Sequence, residues 1–182
     1  KNAPLERMRG SVFGRIKLRI LKWSKAHFVA LSGDAIDELE HSGIHANRMH
    51  KIPNGVSVEQ SRSNQEVRDT TDICFVGRLI ARKRVDVLLH AMSITADKSL
   101  RLTIAGGGPI EQELASLALE LQLEKNVTFL GEVPNDDVSR LLAKSQLFVL
   151  PSKSEGMSNA LLEAMAVGCA VVVADIPQNR EL

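Results

Sequence analysis

The residues best suited to chemistry lie in one run, Pro151-Ser152-Lys153-Ser154-Glu155-Gly156-Met157-Ser158-Asn159, which leads into Ala160-Leu161-Leu162-Glu163-Ala164-Met165-Ala166-Val167-Gly168. Gly156 lets a ligand approach the backbone closely. Ser158 or Asn159 can cap a helix whose first N–H groups stay open to a phosphate. That helix is apolar almost all round, which predicts burial, and Glu163 is its one charge. A carboxylate there is costly unless it pairs with a partner or serves a ligand, and the sequence leaves both open.

A second cluster follows the apolar run ending at Val76. Gly77-Arg78-Leu79 precedes Arg82-Lys83-Arg84, which stands at the start of the next helical segment. Cations there oppose the helix dipole, which favours anions by about 0.3–1 kcal/mol per charge. Three in a row fit either an exposed basic helix start or an anion held nearby, because Arg, Lys and free backbone N–H groups together clamp phosphate. Two further loops are less telling. Gly106-Gly107-Gly108-Pro109 fails the dinucleotide fingerprint, since Glu111 stands where its last glycine belongs, and reads as a tight strand-to-helix turn. In Gly131-Glu132-Val133-Pro134 an apolar rim residue could pack a base, but alone the segment is a turn.

These loops need a scaffold, and the pattern from residue 72 onward supplies one. Apolar, β-branched runs at Ile73–Val76, Leu100–Ile104, Asn126–Leu130, Leu147–Leu150 and Ala170–Val173 predict strands. Between them, Val85, Leu88, Leu89 and Met92 recur at helical spacing over 85–94. A helix is also predicted over 110–121, with Pro109 suited to its first turn. Short strands joined by helices imply right-handed crossovers and an α/β, Rossmann-like, doubly wound parallel sheet. Ligands of such sheets bind beyond the carboxyl ends of the strands. Residues 55–70 are polar and aperiodic and read as a linker. Upstream, strands are predicted at 28–31 and 49–52 around a helix at 35–41. The chain reads as ending one loop beyond its last strand, as if cut at both ends.

Bulk properties narrow the function. Residues 1–30 carry a net +7 and the remainder −6, so the body is mildly acidic and a uniformly basic nucleic-acid binder is excluded. Arg9, Arg15, Lys17, Arg19, Lys22 and Lys25 alternate with Phe13, Ile16, Leu18, Ile20, Leu21 and Trp23. Residues 7–25 thus suit either a helix packed on a neighbouring domain or a peripheral contact with an anionic membrane. No apolar run approaches the roughly 20 residues of a spanning helix. Cys74 and Cys169 sit in strand-like runs and read as buried thiols, which suits a cytoplasmic protein. Asp136-Asp137 and the scattered histidines give no metal constellation.

Five stretches together resemble glycosyltransferase family 4, the retaining enzymes that use nucleotide sugars and place two Rossmann-like domains face to face (GT-B). They are Ile52-Pro53-Asn54-Gly55-Val56; Phe75-Val76-Gly77-Arg78-Leu79 with Lys83; Ile104-Ala105-Gly106-Gly107-Gly108-Pro109; Val127-Thr128-Phe129-Leu130-Gly131; and Leu150-Pro151-Ser152 through Gly168. Glu155 and Glu163 reproduce the family's Glu-x7-Glu spacing. The resemblance runs from about Ala26 to Leu182. Arg84 departs from it, where the family commonly has glycine, and so does Ser158, where glycine is frequent.

The resemblance implies a C-terminal half of the two-domain architecture: residues 1–52 as the end of the acceptor-side domain, 53–71 as linker and 72–182 as the nucleotide-sugar domain, shortened at its end. It implies that Gly77, Arg78 and Lys83 surround the diphosphate, and that the backbone of Gly156, Met157, Ser158, Asn159 and Ala160 holds diphosphate and sugar. Glu163 would bind the ribose, Val133 would lie against the base, and Glu155 would be the catalytic residue beside the transferred sugar. The donor would be a UDP- or GDP-sugar with no essential metal, and the acceptor a sugar or a lipid-linked glycan at the inner face of a membrane. The chain alone would then bind nucleotide without transferring sugar. Two other readings stand beside this one: a sugar-nucleotide epimerase on the same pair of domains, and a non-catalytic nucleotide-sugar-binding module.

Overall fold

The computed structural model describes residues 12–57 and 69–182. Most of the expected linker, residues 58–68, lies outside the described residues, as do residues 7–11 of the basic segment. The chain forms two compact units, residues 1–54 with Glu181, and residues 55–180 with Leu182.

In the first unit the basic segment is a helix, α1 (Val12–Trp23), followed by β1 (Phe28–Ala30), α2 (Gly33–His41), a single 3-10 turn and β2 (Met49–Lys51). The strands and the helix between them stand within two residues of the sequence expectation. β1 and β2 pair in parallel, with Phe28 beside Met49. Buried Ser32 caps α2, its hydroxyl accepting from the Ala35 N–H at 3.3 Å. Arg48 ties down α1 in a way the sequence did not announce. Its guanidinium donates to the carbonyls of Leu21, Lys22 and Ala26, each at 2.9 Å, and so serves the orphan acceptors at the helix end.

The second unit carries a five-stranded parallel sheet. Its strands are β3 (Asp69–Val76), β4 (Arg101–Ala105), β5 (Val127–Gly131), β6 (Ser145–Leu150) and β7 (Ala170–Val173), in the spatial order β5-β4-β3-β6-β7. The connecting helices are α3 (Val85–Ile94), α4 (Glu111–Glu120), α5 (Asn135–Lys144) and α6 (Asn159–Ala166), with a last short helix α7 (Pro177–Arg180). Burial follows strand position. Central β3 presents Cys74 and Phe75 fully buried on both faces, whereas edge strand β7 leaves Val171 and Val172 exposed.

Three expectations change. β3 starts at Asp69 rather than Ile73, so the sheet begins inside the stretch read as linker; polar Asp69-Thr70-Thr71-Asp72 hides the strand from a hydrophobicity pattern. Pro109 precedes α4 instead of joining its first turn. And α6 is only half buried: Leu161 and Ala164 are inside, but Met165 is exposed, because the helix packs on β6, β7 and α5 from one side.

Cys74 and Cys169 are buried free thiols, as expected. The Cys169 thiol donates to the Ser145 carbonyl at 3.3 Å. The hydrogen bond of its thiol with Cys169, together with burial, pushes Cys74 far above the ordinary thiol range, which keeps it protonated and unreactive.

Candidate active site

The order of the strands locates the site. From β3 the chain winds outward to β4 and β5, then returns to β6 on the other side of β3. The connections after β3 and β6 therefore leave the sheet in opposite directions, and it is in the crevice at such a point that open parallel sheets bind ligands. The residues of the two chemistry-bearing runs stand on those two loops.

Beyond β3 the chain turns at Gly77 and continues through buried Leu79. The loop is laced to its neighbour on β4 by backbone bonds: Gly77 N–H to the Ala105 carbonyl and Leu79 N–H to the Gly107 carbonyl, both 2.9 Å. This explains the glycine run after β4. A methyl group on Gly106 would overlap the Gly77 carbonyl, and one on Gly108 would overlap the Leu79 carbonyl. The run packs backbone on backbone, consistent with a tight turn.

Residues 81–83 form a 3-10 turn, so Lys83 folds back beside Gly77; a side chain on Gly77 would stand 3.7 Å from the Lys83 Nζ. Lys83 Nζ donates to Glu155 Oε1 at 2.8 Å. Arg82 donates to Glu155 Oε2 at 3.3 Å and to the Ser154 carbonyl, while its own carbonyl accepts from the Lys153 N–H at 2.9 Å. The Glu155 side chain is 6% exposed and that of Lys83 12%. A pair this enclosed is costly to break from one side, by about 3–5 kcal/mol in other proteins.

The cation run at 82–84 thus meets protein carboxylates in the absence of ligand. Arg82 and Lys83 share Glu155, and Arg84 pairs with Asp86 at 3.0 Å. The oddity of three cations at a helix start does not by itself call for a phosphate. What remains is an excess: two cations share one carboxylate, and the guanidinium of exposed Arg78 in the same loop has no hydrogen bond or ion pair among the described residues.

Arg84 also explains its own departure from the family pattern. It caps α3 with φ 54° and ψ 39°, a left-handed conformation that glycine adopts freely and other L-residues adopt at about 1–2 kcal/mol. Its half-exposed pair with Asp86 offsets part of that cost, and holds the Asp86 carboxyl below the usual carboxylate range against the upward pull of burial. Arg84→Gly is therefore expected to leave the chain equally stable or up to about 1 kcal/mol more stable in urea unfolding. A loss above 1 kcal/mol would show that the ion pair outweighs the strain.

After β6, Ser152 is buried with no hydrogen-bond partner for its hydroxyl among the described residues, Gly156 is exposed and Met157 is half-buried. Ser158 is the N-cap of α6; its hydroxyl accepts from the Leu161 N–H at 3.4 Å. Asn159 and Ala160 begin the helix, whose N-terminus follows the Glu155 loop. Glu163 lies one turn further on, half-buried, and its carboxylate has no hydrogen bond or ion pair among the described residues. Burial pushes its carboxyl above the ordinary 4.5. Of the two options left open by the sequence, a protein partner is the one not found.

The structure brings Gly77, Lys83 and Glu155 together, with Gly156 to Ala160 following in the chain. Val133 is not part of that contact: it lies beyond β5, two strands from β3, and packs half-buried on the core. An open concavity of about 560 Å³ lies along α4 and β5, lined by Gly108, Pro109, Glu111, Gln112, Ala115 and Phe129. None of the expected ligand-binding residues lines it. Arg82 is the contact that sequence reading passed over; the run of cations was its signal. Among the described residues no group of three or more His, Cys, Asp or Glu is placed to hold a metal ion.

With this geometry in hand, three comparisons are informative. The family described as glycosyl transferases group 1 matches residues 57–182. A glycosyltransferase of Methanocaldococcus jannaschii is 37% identical over 115 residues, which are 63% of this chain and 30% of that protein. An N-acetylgalactosaminyltransferase of Campylobacter jejuni, whose name specifies a diphospho-undecaprenol-linked acceptor, is 38% identical over 103 residues, 57% of this chain and 27% of that protein. The crystal structure of HepE from Anabaena with UDP and glucose superimposes with a TM-score of 0.81 at 19% identity, over 98% of this chain and 50% of that one. The matches to the two curated relatives thus span less than a third of each relative's length, and the fold is the Rossmann-like fold of GT-B glycosyltransferases.

Proposed function

The chain belongs to the glycosyl transferases group 1 family, and from that premise we propose that it forms the donor half of an enzyme that transfers a sugar from a nucleoside-diphosphate sugar to an acceptor hydroxyl with retention of anomeric configuration. The observation that carries this reading is the meeting of Lys83 and Glu155 at the β3–β6 crevice, beside a capped helix N-terminus. Arg78 and Lys83 neutralise the charge that grows on the departing diphosphate, assisted by the N–H groups at the start of α6. Glu155 stands beside the transferred sugar, Glu163 accepts from the ribose hydroxyls and Val133 lies against the base. The fixed crevice supplies orientation. No metal is required in this scheme.

The donor is a UDP- or GDP-sugar and the acceptor a sugar or lipid-linked glycan. Supplying UDP- and GDP-sugars with a panel of acceptor saccharides to the protein that carries this chain tests it. The expected result is release of nucleoside diphosphate with a product of unchanged anomeric configuration, read by NMR. An inverted product would overturn retention, and a sugar nucleotide epimerised with its diphosphate bond intact would overturn transfer.

Glu163 yields an expectation with two opposite signs. Its folded pKa is raised, so the folded chain holds the proton more tightly than the unfolded one, and stability falls as pH rises from about 4.5 through the raised value. Above that window the buried charge is a standing cost to the folded chain. Glu163→Gln is therefore expected to raise the melting temperature at neutral pH while weakening nucleotide binding by about 1.5–3 kcal/mol, the range for a hydrogen bond to a charged group. A mutant with unchanged nucleotide affinity would remove Glu163 from the site.

We also propose that α1 touches an anionic membrane at the inner face, keeping the enzyme near lipid-linked acceptors in the cytoplasm. α1 exposes Phe13, Ile16, Ile20 and Trp23 along one stripe, with Trp23 92% exposed, and exposed Arg15, Lys17, Arg19 and Lys22 flank it. Such cations contribute about 1 kcal/mol each near an anionic leaflet. Among the described residues no helix is long and apolar enough to cross a membrane. Cosedimentation with phosphatidylserine vesicles is expected at low salt and reduced at high salt; absence of binding at low salt would contradict it.

A further inference from the structure

We propose that Arg82 is a positioning residue for Glu155, holding this carboxylate and its loop in place when Lys83 turns from Glu155 to the diphosphate. The proposal rests on the donor-site reading above. In the ligand-free chain each oxygen of Glu155 has its own cation: Oε1 accepts from Lys83 at 2.8 Å and Oε2 from Arg82 at 3.3 Å. The Glu155 side chain is 6% exposed, so it needs a counter-ion whatever else is bound. Lys83 cannot both serve as the only counter-ion and move to a phosphate. A second cation on the other oxygen removes that conflict.

Arg82 is built for the retained role. It is joined to the β6–α6 loop at three points: its carbonyl to the Lys153 N–H, and its guanidinium to both the Ser154 carbonyl and Glu155. One guanidinium nitrogen, Nη1, donates to both the Ser154 carbonyl and Glu155 Oε2, so a single rigid, planar group ties the carboxylate to the backbone of its own loop. The Lys83 ammonium reaches Glu155 from a flexible stem. The Arg82 side chain is 44% exposed against 12% for Lys83, which places Lys83 as the enclosed cation and Arg82 at the rim. Neutralising Arg82 leaves Glu155 dependent on Lys83 alone, so that releasing Lys83 to a ligand becomes harder.

A double-mutant cycle read by calorimetry with UDP and with GDP tests this. With whichever nucleotide binds more tightly, Arg82→Gln is expected to lower affinity about fivefold in the wild-type background, within the range of coupling between residues in contact. In a Glu155→Gln background the same substitution is expected to change affinity less than about twofold. Arg82→Lys should recover only part of the loss. Melting temperatures of all variants separate this from a fold effect, which would lower stability in both backgrounds without coupling. Equal weakening in both backgrounds would make Arg82 a direct phosphate ligand and overturn the proposal, as would no weakening in either. If the wild-type chain binds neither nucleotide, the donor-site reading itself fails and this proposal fails with it.

Discussion

Replacing Lys83 with alanine is expected to weaken binding of a nucleoside diphosphate by about 1.5–3 kcal/mol, roughly 10- to 150-fold, because it removes a charge-assisted bond to phosphate. The affinity for the corresponding nucleoside should change little. Sequence alone suggests that such a mutant keeps its stability, but Lys83 is enclosed against Glu155, so some stability should be lost as well. Arg82 limits the loss by remaining on the same carboxylate. The two effects separate cleanly in the measurement: calorimetry with UDP and uridine, or GDP and guanosine, reads the ligand, and urea unfolding reads the fold. If nucleoside and nucleoside diphosphate lose affinity equally, Lys83 acts through the fold and not on the phosphate.

Glu155→Gln should act in the opposite direction on binding and most strongly on turnover. In the ligand-free chain Glu155 occupies the Lys83 ammonium, so a neutral amide in its place frees that cation. Nucleoside diphosphate binding is expected to be retained or strengthened. Sugar transfer by the protein carrying this chain is expected to fall by about 10²–10³-fold, the effect of removing one preorganised electrostatic group from a transition state. Parallel measurements of UDP or GDP affinity and of sugar turnover decide it. A mutant that turns over normally would take Glu155 out of the chemistry, and one that fails to bind nucleotide would make Glu155 a structural anchor only.

The parts of this protein that were legible in its sequence share a physical reason. Strands β4 to β7 are short apolar runs bounded by turns, and α3 shows Val85, Leu88, Leu89 and Met92 on one face, all buried. Where polarity hides an element, pattern reading stops: β3 begins with Asp69-Thr70-Thr71-Asp72. The candidate site was legible as residue types on two loops but not as a contact. That Lys83 and Glu155 meet follows from β3 and β6 being neighbours, and the pairing of Asp69 with Ser145, 76 residues further along the chain, is a property of topology, not of either loop. The same limit applies to Arg48 and Arg82, whose partners are distant in the chain. Arg84 is a different case. The family's usual glycine marked its position as unusual, and only the backbone angle gave the cause.

The most direct measurement is the affinity of this chain for UDP and GDP set against uridine and guanosine, by calorimetry at low and at moderate salt. If the crevice between β3 and β6 holds a diphosphate on Arg78, Lys83 and the start of α6, one nucleoside diphosphate should bind at least about tenfold tighter than its nucleoside, and the difference should shrink as salt rises. Equal affinity for nucleoside and nucleoside diphosphate, or binding of neither diphosphate, would contradict the central claim.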